Sequence, residues 1–159
     1  QELTFICGKH LSVYRPEHYI KTLFPSLGDL KVMLFAAIKL VMPEFAVPAE
    51  MQQAVSAAAA ELNKYMQAEE REKLRKVVQL FIDGGAKVDL KRWMQATEIT
   101  AARAGLLLCA DLEIAKKVIA REPQQVEDVS PSEKMKELLV FSVSEQYLQL
   151  RKALGINVG

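Results

Sequence analysis

The chain has 159 residues, half of them hydrophobic and 26% charged, and its 21 basic and 20 acidic residues leave a formal net charge of +1. So small a net charge excludes a strong electrostatic field of the kind that gathers nucleic acid or an anionic membrane surface. The length predicts one domain spanning residues 1–159, with enough chain to bury a hydrophobic core.

Apolar residues recur at helical spacing along almost the whole chain, and no segment has a strand pattern of comparable strength. We therefore predict an all-α, compact multi-helix fold. Three sets of residues mark helix starts: Pro16 at a first turn, Ser26 followed by Asp29, and Ser130 at the head of a capping box. The predicted helices span residues 2–13, 16–24, 27–42, 49–67, 69–82, 90–109 and 112–121, with one or two more between 131 and 154.

Two predicted loops separate these helices. The segment from Pro43 to Pro48 has the composition of an extended strap, and its residues Phe45-Ala46-Val47 could form an exposed apolar patch. Residues 122–129 form the most polar loop, and we expect it to be the most mobile part of the chain.

The longest apolar stretch runs from about Val32 to Met42 and is too short to cross a membrane. No signal peptide is visible, because Glu2 and Lys9-His10 interrupt the first apolar run. We therefore expect a cytoplasmic protein with no membrane span. Since the sequence opens inside a predicted helix, we also expect it to be a fragment of a longer chain.

The titratable residues restrict the catalytic chemistry that we can predict. The two histidines, His10 and His18, are separated by Arg15-Pro16, and proline rarely lies inside a helix. The His-Glu-x-x-His motif that places two zinc ligands one helical turn apart is therefore absent. With two histidines and no nucleophile elbow, a Ser-His-Asp triad is not indicated either.

The segment from Thr97 to Leu106 reads Thr-Glu-Ile-Thr-Ala-Ala-Arg-Ala-Gly-Leu. It resembles the helix that carries the third zinc ligand in HtpX-like zinc metallopeptidases, where the pattern is Glu-x-x-Ala-Asp-x-x-Gly. The resemblance makes Glu98 a relic of the zinc ligand and Gly105 the matching glycine. Ala102 stands where the family has the aspartate that supports the site.

The N-terminal residues 4–11 resemble that family's motif helix, which often reads Ala-His-Glu-Leu-Gly-His-His-Leu. In this alignment Phe5 replaces the first histidine ligand, Ile6 replaces the glutamate base, and Lys9 replaces the second histidine. The matching positions are Gly8, His10 and Leu11. The resemblance therefore implies a peptidase-like scaffold with no catalytic residue, no metal and no cofactor.

The whole chain is also similar to inactive-looking peptidase-type modules at the C-terminus of large bacterial helical-repeat proteins. This resemblance implies a pseudopeptidase that works as a scaffold or through an unidentified protein partner, without nucleic acid. One alternative is a zinc metallopeptidase whose missing ligands come from another chain. Another is a helical domain that binds a small apolar ligand near Met33, Phe35 and Met42.

Several side chains receive individual predictions. A buried Glu98 must be paired, and Lys9 is the expected partner, ahead of His10 and Arg103, where the first and sixth helices would cross. We expect a hydrogen-bonded structural role for His10. Further expectations are an exposed His18, a core position for Trp93, and buried thiols at Cys7 and Cys109, with a disulfide between them as an alternative.

Overall fold

A computed structural model describes residues 1–123 and 129–156, and within these ranges the chain is all-helical, as predicted. These residues contain nine α-helices and one short 3₁₀ helix at Ala49–Met51. The α-helices are α1 (Glu2–Val13), α2 (Pro16–Leu23), α3 (Leu27–Val41), α4 (Gln52–Tyr65), α5 (Ala68–Asp83), α6 (Leu90–Cys109), α7 (Leu112–Ala120), α8 (Pro131–Ser142) and α9 (Glu145–Ala153).

Polar side chains at the helix starts explain why the boundaries fall close to the predicted positions. The Ser26 hydroxyl accepts a hydrogen bond from the Asp29 amide at 3.0 Å, and Ser130 and Glu133 form the reciprocal capping box at the start of α8. These contacts satisfy amides that the first helical turn leaves without partners. Helix α5 ends at two glycines: Gly84 follows its last residue, and Gly85 has a φ of +90°.

One helix differs from the sequence-based prediction. The helix predicted over residues 49–67 is a 3₁₀ turn followed by α4, which ends at Tyr65. Of the one or two helices predicted between residues 131 and 154 there are two, because the Ser144 hydroxyl accepts from the Tyr147 amide and caps a new first turn. Most of the polar loop predicted at 122–129 lies at positions 124–128, outside the described residues.

The chain divides into two compact units. Unit 1 comprises Gln1–Leu23 and Lys91–Gly159, and unit 2 comprises Phe24–Leu90. The single domain inferred from length stays a prediction. No helix within the described residues is both long enough and apolar enough to span a membrane.

Unit 2 is built around α3, whose buried residues Ile38 and Val41 meet Val78 of α5. A helix that is apolar on most of its faces, as α3 is, usually lies at the centre of a core. The expectation of an exposed patch at residues 45–47 is wrong, because Phe45 and Val47 are half-buried. The Phe45 ring lies 6.0 Å from that of Phe35, so the strap after α3 folds back on the core.

Unit 1 has a larger core, formed by α1, α6, α7, α8 and α9. Phe5 of α1 and Leu138 of α8 are fully buried in it. The buried members of this core are Phe5, Ala102, Leu106, Cys109, Ala115, Val118, Ile119, Leu138, Phe141 and Tyr147. This core brings the two segments of the family resemblance together in one unit.

Candidate functional site

Helices α1 and α6 touch through their backbones at two glycines. A Cβ on Gly8 would lie 2.6 Å from the carbonyl oxygen of Ala104 and 2.8 Å from the Cα of Gly105. A Cβ on Gly105 would lie 2.8 Å from the carbonyl oxygen of Phe5. Only residues without a side chain permit so close an approach. The first and sixth helices therefore cross, as the sequence analysis predicted.

Beside this crossing, three lysines and two glutamates form an ion-pair cluster. Lys9 Nζ lies 3.1 Å from Glu98 Oε1, which confirms the predicted pair. Lys134 Nζ lies 3.0 Å from the same oxygen, and Lys21 Nζ lies 3.1 Å from Glu98 Oε2. Glu122 accepts from Lys9 and, at 2.9 Å, from Lys134. We call these five residues the ion-pair cluster.

Three members of the cluster were missed from the sequence: Lys21, Glu122 and Lys134. Lys134 carried a usable signal, because it precedes the buried residues Leu138 and Phe141 at helical spacing. A lysine in such a core-facing position, here with a side chain only 2% exposed, requires carboxylate partners. Lys21 and Glu122 carried no comparable signal, since Lys21 lies in a short helix with no buried residue and Glu122 follows the end of α7.

The charges in the cluster hold Glu98 and Lys134 in their ionised forms. Burial favours the neutral carboxyl of Glu98, but the ammoniums of Lys9, Lys134 and Lys21 outweigh it and lower the pKa from 4.5 to about 2. Burial likewise opposes the charged form of Lys134, yet its hydrogen bond to Glu122 and the nearby Glu98 raise its pKa above the ordinary value. Glu98 and Lys134 are therefore both charged at neutral pH.

The residues at the crossing do not fit a catalytic zinc ion. Phe5 is fully buried with its ring beside Gly105, and neither Phe5 nor Ile6 has an atom that could ligate a metal. Both carboxylate oxygens of Glu98 already accept hydrogen bonds from lysines. Ala102, at the position of the family's supporting aspartate, is fully buried and has no polar side-chain atom.

The described part of the chain contains no group of three or more His, Cys, Asp or Glu side chains that could hold a metal ion. Neither histidine is a member of the cluster. His10 is exposed, and its structural role stays a prediction. His18 is half-buried rather than exposed, because its Nδ1 lies 3.0 Å from the carbonyl oxygen of Ser12 and ties α2 to α1.

The cysteines are free and differ in exposure. Cys109 is buried as predicted, and burial raises the pKa of its thiol. Cys7 is exposed, which contradicts the predicted burial. The prediction failed because α1 is apolar on nearly every side, so its pattern does not reveal which face packs inward. Trp93 is half-buried rather than a fully enclosed core residue.

No protein-family model matches the chain, and neither a curated protein nor a solved structure matches it. The likeness to HtpX-like metallopeptidases therefore rests on the two short sequence segments and on no independent match.

Proposed function

We propose that this chain is a non-catalytic, peptidase-like module that serves as a scaffold or protein-interaction domain in a larger bacterial assembly. The observation that carries the proposal is the ion-pair cluster at the crossing of α1 and α6. The family resemblance would place the zinc ligands at this crossing. Here Glu98 instead forms ion pairs with lysines.

The chemistry of these substitutions supports a loss of catalysis. A zinc ion needs donors with free lone pairs, and a protonated lysine has none. Lys9 places a fixed ammonium at 3.1 Å from Glu98, so a positive charge compensates the carboxylate without a metal. A metal entering here would have to displace ammoniums that are themselves partly buried, at a high cost in charge repulsion.

The geometry of the cluster supports a scaffolding role. Its members come from α1, α2, the segment after α7, α6 and α8, and the Lys9–Glu122 bond spans 113 residues of sequence. Buried ion pairs have strict distance requirements, so they can specify how separate elements meet. A module fixed in this way offers a rigid surface for a partner.

The test of this proposal is the zinc content of the purified chain, measured by elemental analysis after dialysis. We expect near-zero zinc in the natural chain. The variant Phe5→His/Ile6→Glu/Lys9→His restores the family motif beside Glu98, and we expect it to bind roughly one zinc per chain. The same triple variant with Glu98→Ala is the matched control and should lose that zinc.

Stoichiometric zinc in the natural chain, lost on Glu98→Ala, would contradict the proposal and require ligands other than those named here. Circular dichroism of each variant separates loss of metal binding from loss of the helical fold. If the triple variant unfolds, the natural chain and its Glu98→Ala form still decide the question by themselves.

No specific observation supports either alternative raised by the sequence, the peptidase completed by another chain or the domain for a small apolar ligand. A peptidase completed by another chain would still require Glu98 to leave its three lysines. Of the residues considered for a small apolar ligand, Phe35 and Met42 pack against the core cluster of unit 2. We therefore keep the scaffold and interaction module as the single proposed function.

A further inference from the structure

One side of α1 is largely apolar and open to solvent. Leu3 is 71% exposed, Leu11 63% and Tyr14 73%, and Cys7 and His10 are exposed between them. At 3.6 residues per turn these five positions fall within an arc of about 100° around the helix. The buried residues of α1 lie on the opposite side. We call these five residues the outer stripe of α1.

The outer stripe can be covered without burying an unpaired charge. The acidic and basic residues of α1 are Glu2 and Lys9, and both lie outside the stripe. Arg121 bonds Glu2 at 3.0 Å, and Lys9 belongs to the ion-pair cluster. Exposed apolar residues also occur on α8, but there Lys136 lies one turn before Val140, so a partner covering that side would also bury an ammonium.

The spacing along the stripe fits a second copy of the same helix. Leu3, Cys7, His10 and Tyr14 are separated by steps of four, three and four residues, the alternating steps of a coiled-coil seam. These steps are the same in both directions. In an antiparallel pair, Leu3 would therefore face Tyr14 of the second copy, and Cys7 would face its His10. A two-fold axis makes each of these contacts twice.

The exposed area of the stripe is sufficient for a weak dimer. With the flanking Ile6, the exposed side-chain surface amounts to roughly 600 Å² per copy, so two copies would cover about 1,200 Å². Specific protein interfaces begin near this total area. Antiparallel packing also places the N-terminal end of each helix beside the C-terminal end of the other, which favours opposite ends of the helix dipoles.

We infer that two copies of this chain associate reversibly through the outer stripes of α1, packed antiparallel about a two-fold axis. This inference goes beyond the proposed function, because it depends on the outer side of α1 and not on the ion-pair cluster. An apolar helix of a different protein could cover the same stripe, but it would not require steps that are equal in both directions.

Sedimentation velocity at chain concentrations from about 5 to 500 µM measures the association. We expect a monomer at the low end and a dimer at the high end. Leu3→Lys/Tyr14→Lys should raise the dissociation constant at least about tenfold, because each lysine would face a lysine of the second copy. Leu3→Glu/Tyr14→Lys should associate much more tightly than the lysine pair, because each glutamate would then face a lysine.

The matched control is Val140→Lys/Val143→Lys, which replaces two exposed apolar residues on α8 and adds the same charge as the lysine pair on α1. It should change the dissociation constant by no more than about twofold. Cys7 provides an independent readout, since it is exposed whereas Cys109 is buried. A short bis-maleimide should join two natural chains through Cys7, and Leu3→Lys/Tyr14→Lys should suppress this cross-link.

Three outcomes overturn the inference. A natural chain that stays monomeric over the whole range leaves the stripe to a different protein. A control on α8 that weakens association as much as the lysine pair on α1 places the contact elsewhere. Equal dissociation of the glutamate–lysine and lysine–lysine variants excludes the antiparallel register.

Circular dichroism of each variant checks that the helices remain folded. If the lysine pair on α1 unfolds, the concentration dependence of the natural chain and its cross-link at Cys7 still decide the question. The two proposals fail separately. Zinc in the natural chain defeats the non-catalytic proposal whatever the oligomeric state, whereas a zinc-free monomer defeats only the dimer.

Discussion

Lys134 is the most deeply buried charge among the described residues of the ion-pair cluster, with a side chain 2% exposed. Its ammonium is shared between Glu98 and Glu122, at 3.0 Å and 2.9 Å. A buried ion pair of this kind adds little stability compared with well-packed apolar residues in its place. Removing one partner alone, however, lowers the free energy of unfolding strongly. The carboxylates that remain lose a donor while they stay partly buried.

Lys134→Met should therefore destabilise the chain by about 3 kcal/mol, near the lower end for a broken buried pair, because Lys9 still contacts both glutamates. The measurement is urea unfolding followed by circular dichroism. The control is Lys136→Met two residues away, an exposed position where the same substitution should change stability by less than about 0.5 kcal/mol. Equal losses in the two variants would contradict a stabilising role of the cluster.

The sequence predicted part of this cluster and missed the rest for a physical reason. Lys9 and Glu98 could be paired because the family resemblance placed both at one site. Glu122 is 113 residues from Lys9, and no local pattern links residues so far apart. Only the packing of α1 against α7 brings them together, and that packing depends on the whole core of unit 1.

At the scale of elements, the crossing of α1 and α6 depends on two positions that have no side chain. Gly8 and Gly105 let the helix backbones meet directly, with would-be Cβ contacts under 3 Å. The three atoms nearest a Cβ on Gly8 belong to the backbone of α6, and a Cβ on Gly105 would meet the Phe5 carbonyl oxygen as well as the Phe5 ring. Backbone atoms cannot rotate away. A methyl group at either position must therefore move one helix relative to the other.

Gly8→Ala should destabilise the chain by about 2 kcal/mol, because the overpacking outweighs the gain in helix propensity. Gly28→Ala is the matched control, since a Cβ there would meet only the Ser26 hydroxyl oxygen at 3.7 Å. In this first turn of α3 the change should be neutral or stabilising by up to about 1 kcal/mol. Thermal unfolding of both variants checks the contrast, and similar melting temperatures would show that the crossing tolerates a methyl group.

Helix positions were easier to predict than helix faces. Capping residues such as Ser26 and Ser130 act on their own first turn, so their effect can be read locally. The face of α1 that packs inward could not be predicted, because the apolar residues of α1 are distributed around its whole circumference. Phe5 is consequently buried while Cys7, two residues later, is exposed.

At the scale of the whole molecule, the cluster makes stability depend on pH. The pKa of Glu98 in the folded chain is about 2, below its ordinary value of 4.5. A carboxyl whose pKa is lowered by folding contributes stability at pH values above its ordinary pKa. That contribution is lost as the pH falls through the pKa of the folded chain. Lys134, whose pKa is raised, contributes stability at pH values below its ordinary pKa and loses that contribution only at strongly alkaline pH.

The free energy of unfolding should therefore fall by about 3 kcal/mol from Glu98 alone as pH drops from 4.5 towards 2. Glu98→Gln removes this titration, so the variant should be less stable at neutral pH and should show a shallower acid dependence. Urea unfolding at a series of pH values measures both curves. Parallel curves for the natural chain and the variant would show that Glu98 does not titrate as described.

The fold class was predictable because helical periodicity recurs in every segment, and no segment competes with it. The arrangement of those helices was not, since the chain leaves unit 1 after Leu23 and returns to it at Lys91. A sequence pattern that repeats over a few turns contains no information about such a return. The core of unit 1 depends on it.

The long span of the cluster has a consequence during synthesis. When α1 emerges from the ribosome, the glutamate that bonds Lys9 from beyond α7 is still 113 residues away. At about 5–20 residues per second, translation needs roughly 6–23 s to supply it. During that interval α1 has its charged and apolar side chains but not the elements that bury them. Phe5 in particular stays without the core that encloses it in the folded chain, and exposed apolar surface of this kind favours aggregation before folding is complete.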